Sequence, residues 1–291
     1  MRLTLLGTGC PAVSSRRYGA ASLVEAAETR ILIDCGSGAT QRLVEAGVDG
    51  ARIDALLVTH LHSDHVVDLW QLVVSGWHQG RQAPLRVVAP PGFGRFASAL
   101  EAVWAEERAQ RLAFEQRPNE AGFALCVEEI GAGTRLWIGS IEIEAVAVDH
   151  RPVEPAFGYV LRASGQVIVI SGDTRPCPAL VAAARGCDVL VHEVFVHGAM
   201  RPVAGRRAPE TIDAVASYHT RSSEVGKIAR AAQARCLVLT HIVPPDADPG
   251  ALAAEVAQDY AGPVLVGEDL LRLDLATRAA SWRGLLWRLP G

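Results

Sequence analysis

Apolar residues in this chain gather in short runs that stop at glycine, proline or polar clusters, which predicts many strands with helices between them. Residues 2–6 read as a first strand, broken by Gly7-Thr8-Gly9-Cys10-Pro11, and strands follow over 21–25 and 30–34. Asp34-Cys35-Gly36-Ser37-Gly38 then turns into a helix over 39–46. No G-x-x-x-x-G-K follows either glycine-rich turn, so both read as tight turns at the top of a sheet, not phosphate loops. A buried strand at 56–58, a helix from about 65 to 80, a strand at 85–89 and a helix at 93–108 come next. The polar, weakly periodic stretch 110–120 is expected to be a mobile insertion.

The pattern then shifts to consecutive strands at 124–130, 135–138, 141–148, 158–162 and 166–170, with Gly139-Ser140 and Ser164-Gly165 as hairpin turns. Alternation returns with a helix at 177–184, a strand at 189–191, helices at 209–217 and 222–234, and a strand at 236–239. A helix at 249–257 and strands near Val264 and Leu271 complete it. Two β-rich blocks, each followed by helices and joined without a flexible linker, predict an α/β fold: an αββα four-layer sandwich, in a single domain over 1–291. The apolar tail at 281–287 should pack on the domain or on a second subunit, making a homodimer.

Composition narrows this picture. With 49% hydrophobic residues in a chain of 291 there is ample material for a two-sheet core. Acidic residues outnumber basic ones, 32 to 28, so no global attraction to nucleic acid is expected. Cys10, Cys35, Cys126, Cys177, Cys187 and Cys236 are scattered with no C-x-x-C pair, and read as reduced core thiols of a cytoplasmic protein. No run approaches the roughly 18 apolar residues of a membrane helix, so no membrane partner is expected.

The stretch 55–80 carries the chemistry. Its apolar strand ends in Thr59-His60-Leu61-His62-Ser63-Asp64-His65, four metal-ligand side chains within six residues. An extended segment throws His60 and His62 to one side, while Asp64 and His65 turn toward a second point, which suits two metals better than one. Imidazole and carboxylate without thiolate is the donor set of catalytic zinc and of related manganese or iron sites. Three further strands end in a ligand type: His150 after 141–149, Asp173 after Ser171-Gly172, and His241 after 236–240. Asp173 is the natural bridging carboxylate. Of the remaining histidines, His78 reads as structural and His197 has no assigned role, while His192 with Glu193, and His219, can reach the same rim.

On LLGTGCP, ILIDCGSGATQRL, THLHSDH, His150 followed by FGYVL, SGDT, VHEVF and YHTRSSEVGKIARAAQARCLVLTH, the chain resembles the metallo-β-lactamase superfamily, in its tRNase Z-like branch. The resemblance implies an αββα fold with two divalent cations, zinc first, with manganese or iron as alternatives. One would be held by His60, His62 and His150, the second by Asp64, His65 and His241, with Asp173 and a hydroxide bridging them. It also implies catalytic roles for Asp64, for His219 beside the leaving group, and for Glu193, which orients His219. Members that process tRNA carry a long arm between the positions matching His150 and Asp173. Only 22 residues lie there in this chain, so structured pre-tRNA is not the expected substrate.

The first functional reading is therefore a hydrolase of phosphodiesters or related small, anionic esters, with metals about 3.5–4 Å apart activating water and His219 supplying a proton. A lactonase or other carboxylic or sulfuric ester hydrolase is the second. A di-metal redox or sensing protein is the third, though the flavin-binding partner domain such a role requires is missing. The loop 197–207 with Arg201, Arg206 and Arg207 is either an anion clamp or a solvated loop.

Overall fold

Where strands are central, both faces are covered and the run is apolar throughout; where they are edges, apolar and polar positions alternate. The computed structural model describes residues 1–116 and 120–289. In chain order its elements are β1 (Arg2–Gly7), β2 (Ala21–Ala26), β3 (Thr29–Ile33), α1 (Ala39–Glu45), β4 (Ala55–Leu57), α2 (Leu69–His78), β5 (Leu85–Ala89), α3 (Phe93–Val103), α4 (Ala105–Glu115) and β6 (Leu125–Glu129). Then come β7 (Arg135–Ile138), β8 (Ile141–Ala147), β9 (Phe157–Ala163), β10 (Gln166–Ile170), α5 (Pro178–Ala183), β11 (Val189–Phe195), α6 (Pro209–Ala216), α7 (Ser222–Ala231), β12 (Leu237–Val243) and α8 (Pro249–Ala257). The chain ends in β13 (Val264–Val266), β14 (Arg272–Asp274), β15 (Ala279–Trp282) and β16 (Leu285–Arg288).

Among the described residues these strands form two sheets, β16-β15-β14-β1-β2-β3-β4-β5-β6 and β13-β12-β11-β10-β9-β8-β7. Successive residues of a strand serve different layers. Leu57 of β4 and Ile31 and Ile33 of β3 enter the core between the sheets, whereas Leu56 and Leu32 enter the core under α1, α2 and α3. A third core lies under α5, α7 and α8. This is the four-layer αββα sandwich expected from the pattern. Each fully buried Leu or Ile side chain contributes about 1.5–3 kcal/mol.

Strand direction decides where the chemistry collects. β3, β4 and β5 are parallel, as are β10, β11 and β12. Two antiparallel steps bring β1 into line with β3, and β8 into line with β10. The loops following β1, β3, β4, β8, β10 and β12 therefore leave from C-terminal strand ends, where open α/β sheets place their ligands. Backbone bonds pin the two sheets together at this edge: Phe157 N donates to Thr59 O at 2.9 Å and Ile242 N to Thr8 O at 2.9 Å.

Several expectations are corrected. The polar stretch 110–120 is not an irregular insertion up to residue 115. It belongs to α4, supported by Arg111 pairing with Glu107 at 2.8 Å and Glu115 at 2.9 Å one turn to either side, worth about 0.3–0.5 kcal/mol each. Residues 117–119 of that stretch lie outside the described residues. The single helix at 93–108 is two helices, broken at Trp104, whose indole stacks on Trp70 at 6.0 Å. The strand at 124–130 joins the first sheet beside β5, not the second block. Ser63–His65 is a single 3-10 turn, and the helix after it begins only at Leu69. The tail forms β15 and β16, extending the first sheet. Trp282 packs inward and donates Nε1–H to Asp269 O at 3.0 Å, while Leu285 and Leu286 stay 65% and 75% exposed. Five cysteines are buried as expected, but Cys126 is exposed on the outer strand β6. Among the described residues no helix is long and apolar enough to cross a membrane.

Candidate metal centre

The seven sequence-selected ligand positions come together at the C-terminal strand edge. His60, His62, His150 and Asp173 form one group, and Asp64, His65 and His241 another, with ligand atoms inside each group within 4.8 Å of one another. Asp173 joins the two. Its Oδ2 lies 3.9 Å from His60 Nε2 and His150 Nε2, 3.4 Å from His65 Nε2 and 3.3 Å from His241 Nε2.

Hydrogen-bond partners fix which nitrogen each ring presents. The Thr59 hydroxyl donates to Asp34 Oδ2 at 2.9 Å and so accepts from His60 Nδ1 at 3.0 Å. Asp34 Oδ2 also takes the Nδ1–H of His65 at 2.8 Å, and Tyr218 O takes that of His150 at 3.0 Å. The Nε2 atoms of His60, His65 and His150 are then bare lone pairs aimed inward.

These lone pairs test the fit of a cation. His62 Nδ1 stands 3.0 Å from His60 Nε2 and 3.2 Å from His150 Nε2; a single Nδ1–H can serve only one of these two lone pairs, whereas a cation among the three nitrogens serves all. Nitrogens at 2.0–2.1 Å on a tetrahedral zinc are about 3.3 Å apart, close to these spacings. In the second group His241 Nε2 and His65 Nε2 lie 3.3 and 3.6 Å from Asp64 Oδ2. His65 Nε2 is buried without a hydrogen-bond partner. Burial pushes the imidazoles of His60, His62 and His150 below the ordinary histidine value, which favours the neutral form that a metal ligand needs. For His65, Asp173 and Asp34 outweigh burial and raise the imidazole well above it, a measure of the positive charge these carboxylates demand. The cluster therefore accommodates divalent metal.

Local backbone explains the aim of the side chains. Asp173 follows Gly172, which has φ +59°, and a Cβ there would meet Phe157 O at 2.5 Å. Gly172→Ala is expected to cost about 1–3 kcal/mol, read as a lower midpoint in thermal unfolding. His241 does not follow its strand, as the sequence suggested, but sits inside β12. Glu193 pairs with Thr240 and Val194 with Ile242, so His241 is the extra residue of a β-bulge, at φ +42°. That bulge turns its ring into the site.

Strand β11 likewise runs through Phe195 instead of stopping at Val191. Alternation then separates its neighbours: Glu193 reaches the site, whereas His192 is fully buried, bonds Glu193 O at 2.8 Å and does not reach the rim. Glu193 Oε1 collects Thr174 N–H at 2.9 Å, Thr220 N–H at 3.2 Å and His219 Nδ1–H at 2.9 Å. The His219 ring stacks on His241 at 5.6 Å. Burial lowers the His219 pKa, but the Glu193 carboxylate overrides it and brings it up to about 9. His78 and His197 lie elsewhere, His197 facing Asp213 at 3.3 Å.

A cleft of about 820 Å³ opens over the cluster, lined by Met200, Arg207, Val215, Tyr218 and His219 together with residues 10–15 and 243–246. Of the three loop arginines only Arg207 lines it. Asp34, Thr59 and Tyr218 have no role assigned from the sequence, whereas Arg207 belongs to the loop that the sequence offers as an anion clamp or a solvated loop. Asp34 had a signal: an acid ending an apolar strand beside Cys35-Gly36. Asp34→Ala frees both His65 Nδ1 and Thr59, and metal affinity should fall about 10–100-fold, measured by competition with a chromophoric chelator.

A family model described as the anti-Pycsar protein Apyc1 matches residues 1–203. Proteins named ribonuclease Z from Mycobacterium sp. (strain KMS) and Mycobacterium bovis (strain BCG / Pasteur 1173P2) are 34% and 33% identical to this chain. The alignments cover 94% and 96% of this chain and 96% and 99% of theirs. Among solved structures, the metallo-β-lactamase fold protein YhfI from Bacillus subtilis matches with TM-score 0.70 at 18% identity, covering 93% of this chain and 98% of that one. The short form of human tRNase Z matches with TM-score 0.68 at 21% identity, covering 94% and 99%.

Proposed function

Because the chain belongs to the ribonuclease Z family of metal-dependent hydrolases with the metallo-β-lactamase fold, we propose that it is a dinuclear phosphodiesterase of small substrates. In this reading residues 1–291 are one domain working in the cytoplasm, which the unpaired thiols support. His60, His62 and His150 would hold one divalent ion and Asp64, His65 and His241 the other, with Asp173 placed to serve both groups. Zinc is the first choice for this donor set, ahead of manganese and iron. The observation that carries the reading is the single Asp173 oxygen within 3.3–3.9 Å of four imidazole nitrogens drawn from both groups.

When bound, the metals supply a nucleophilic water at neutral pH and charge stabilisation at phosphorus. The chain supplies the rest. Asp34, Thr59 and the Tyr218 carbonyl hold ring tautomers. Glu193 keeps the Nδ1 proton on His219 and leaves Nε2 to deliver a proton to the departing oxygen. The apolar residues among the cleft's lining, such as Pro11, Val215, Val243 and Pro244, would seat the remainder of the ester.

Hydrolysis of bis-p-nitrophenyl phosphate, an aryl sulfate and an acyl lactone, measured side by side, tests this reading. The phosphodiester should be cleaved fastest; a lactone preference would replace the reading with the carboxylic-ester one. A second reading, RNA cleavage, is favoured by relatives named ribonuclease Z that match this chain across nearly their whole length. The short β9–β10 hairpin, which fills the interval between His150 and Asp173, and the cleft's sparse positive charge favour the small ester.

A further inference from the structure

We propose that Arg207 is a specificity-determining residue that binds a second, non-reacting anionic group of the substrate, so that the preferred ester carries two negative groups and not a string of them. The inference rests on the phosphodiesterase reading and adds to it the charge of the molecule that fits. Arg207 lines the same cleft as the His/Asp cluster, yet its guanidinium has no carboxylate partner among the described residues. Its one side-chain bond is from Nη1 to the Met200 sulfur at 3.4 Å, a weak acceptor that leaves most of its donors unused. Arg201, by contrast, does not line the cleft, and its Nη1 bonds the carbonyls of Gly198 and Met200.

The position is built rather than incidental. Val203 and Arg207 exchange two backbone bonds, Val203 N to Arg207 O at 2.9 Å and Arg207 N to Val203 O at 2.8 Å. This closes a tight turn immediately before α6. The same segment continues through α6 to Val215, Tyr218 and His219, and Arg207 and the proton-bearing histidine both line the cleft. The scissile phosphoryl group belongs at the cluster, leaving the guanidinium for another anion, which its planar fork of donors suits. The lining also includes the apolar residues Pro11, Val13, Val215, Val243 and Pro244. Asp246 also lines the cleft and repels further phosphates. Among the described residues, one lining arginine without a carboxylate partner, set against Asp246 beyond the cluster's own Asp64 and Asp173, matches a bis-anion and mismatches a polyanion.

Calorimetric titration with thymidine 3′,5′-bisphosphate and thymidine 5′-monophosphate, on metal-loaded protein, tests this. Wild type should bind the bisphosphate roughly 10–100-fold more tightly, the worth of a charge-assisted bond. Arg207→Gln should erase that preference, while Arg201→Gln and Arg206→Gln should keep it. Equal wild-type affinities, or a preference that survives Arg207→Gln, would overturn the proposal, as would failure of both ligands to bind. Turnover of bis-p-nitrophenyl phosphate, which has no second anion, separately reports whether the diester chemistry stands.

Discussion

Asp173→Ala is expected to lower the metal content of purified protein from about two equivalents to one or fewer and to reduce turnover about 10³-fold or more, the equivalent of several kcal/mol of charge stabilisation. The reason is geometric. One buried carboxylate oxygen faces nitrogens of His60, His65, His150 and His241, so its removal takes a donor from both groups at once. Asp173 follows β10 and belongs to none of the hydrophobic core clusters, so the sandwich should survive, with far-ultraviolet circular dichroism unchanged. His62→Ala should act in the same direction, since His62 Nδ1 faces two of the same nitrogens. Elemental analysis together with kcat decides it. An Asp173→Ala protein that keeps two metals and wild-type turnover would exclude the bridging role, and a wild type fully active with one equivalent would exclude the dinuclear centre.

The parts of this centre that could be read from the sequence are those where a strand ends in a ligand. His60, His62 and Asp173 come just after apolar strands, which is enough to place them at the strand edge, with Gly172 turning Asp173 into the site. His241 was found on the right run, but its bulge was not, because the extra residue is set by pairing with β11, a partner more than 40 residues distant in the chain. The same long-range pairing hid the fate of His192: a strand thought to stop at Val191 continues to Phe195, and continuation sends His192 and Glu193 to opposite faces. Asp34 was missed because its importance lies in two hydrogen bonds to residues 25 and 31 positions away. The αββα layering was legible because buried strands carry apolar residues on both faces. The placement of β6 was not, since a parallel neighbour is chosen by the helix crossover and not by the strand's own residues. Helix α4 was hidden by its polarity. None of its residues is buried, so no apolar stripe marked it, and its support comes from charge pairs along one face.

His219→Ala is expected to keep both metals, because the ring's Nδ1 is committed to Glu193 at 2.9 Å and the two ligand groups are complete without it. Its effect should depend on the leaving group. A proton from Nε2 matters when the departing oxygen is a poor leaving group and needs neutralising in the transition state, and matters little for a nitrophenolate. The loss should therefore reach roughly 10²–10⁴-fold on an alkyl phosphodiester and be far smaller on bis-p-nitrophenyl phosphate. Glu193→Gln should reproduce the pattern in weaker form, since it removes the charge that holds the proton on His219 while retaining an oxygen that can accept from Thr174, Thr220 and His219. His219 also completes a third cluster with Asp173 and His241, which makes ligation the competing role, and metal content separates the two. If His219→Ala loses a metal equivalent, the residue is a ligand and His241 must be reassigned; if both esters slow equally with metal retained, it positions substrate and does not donate the proton.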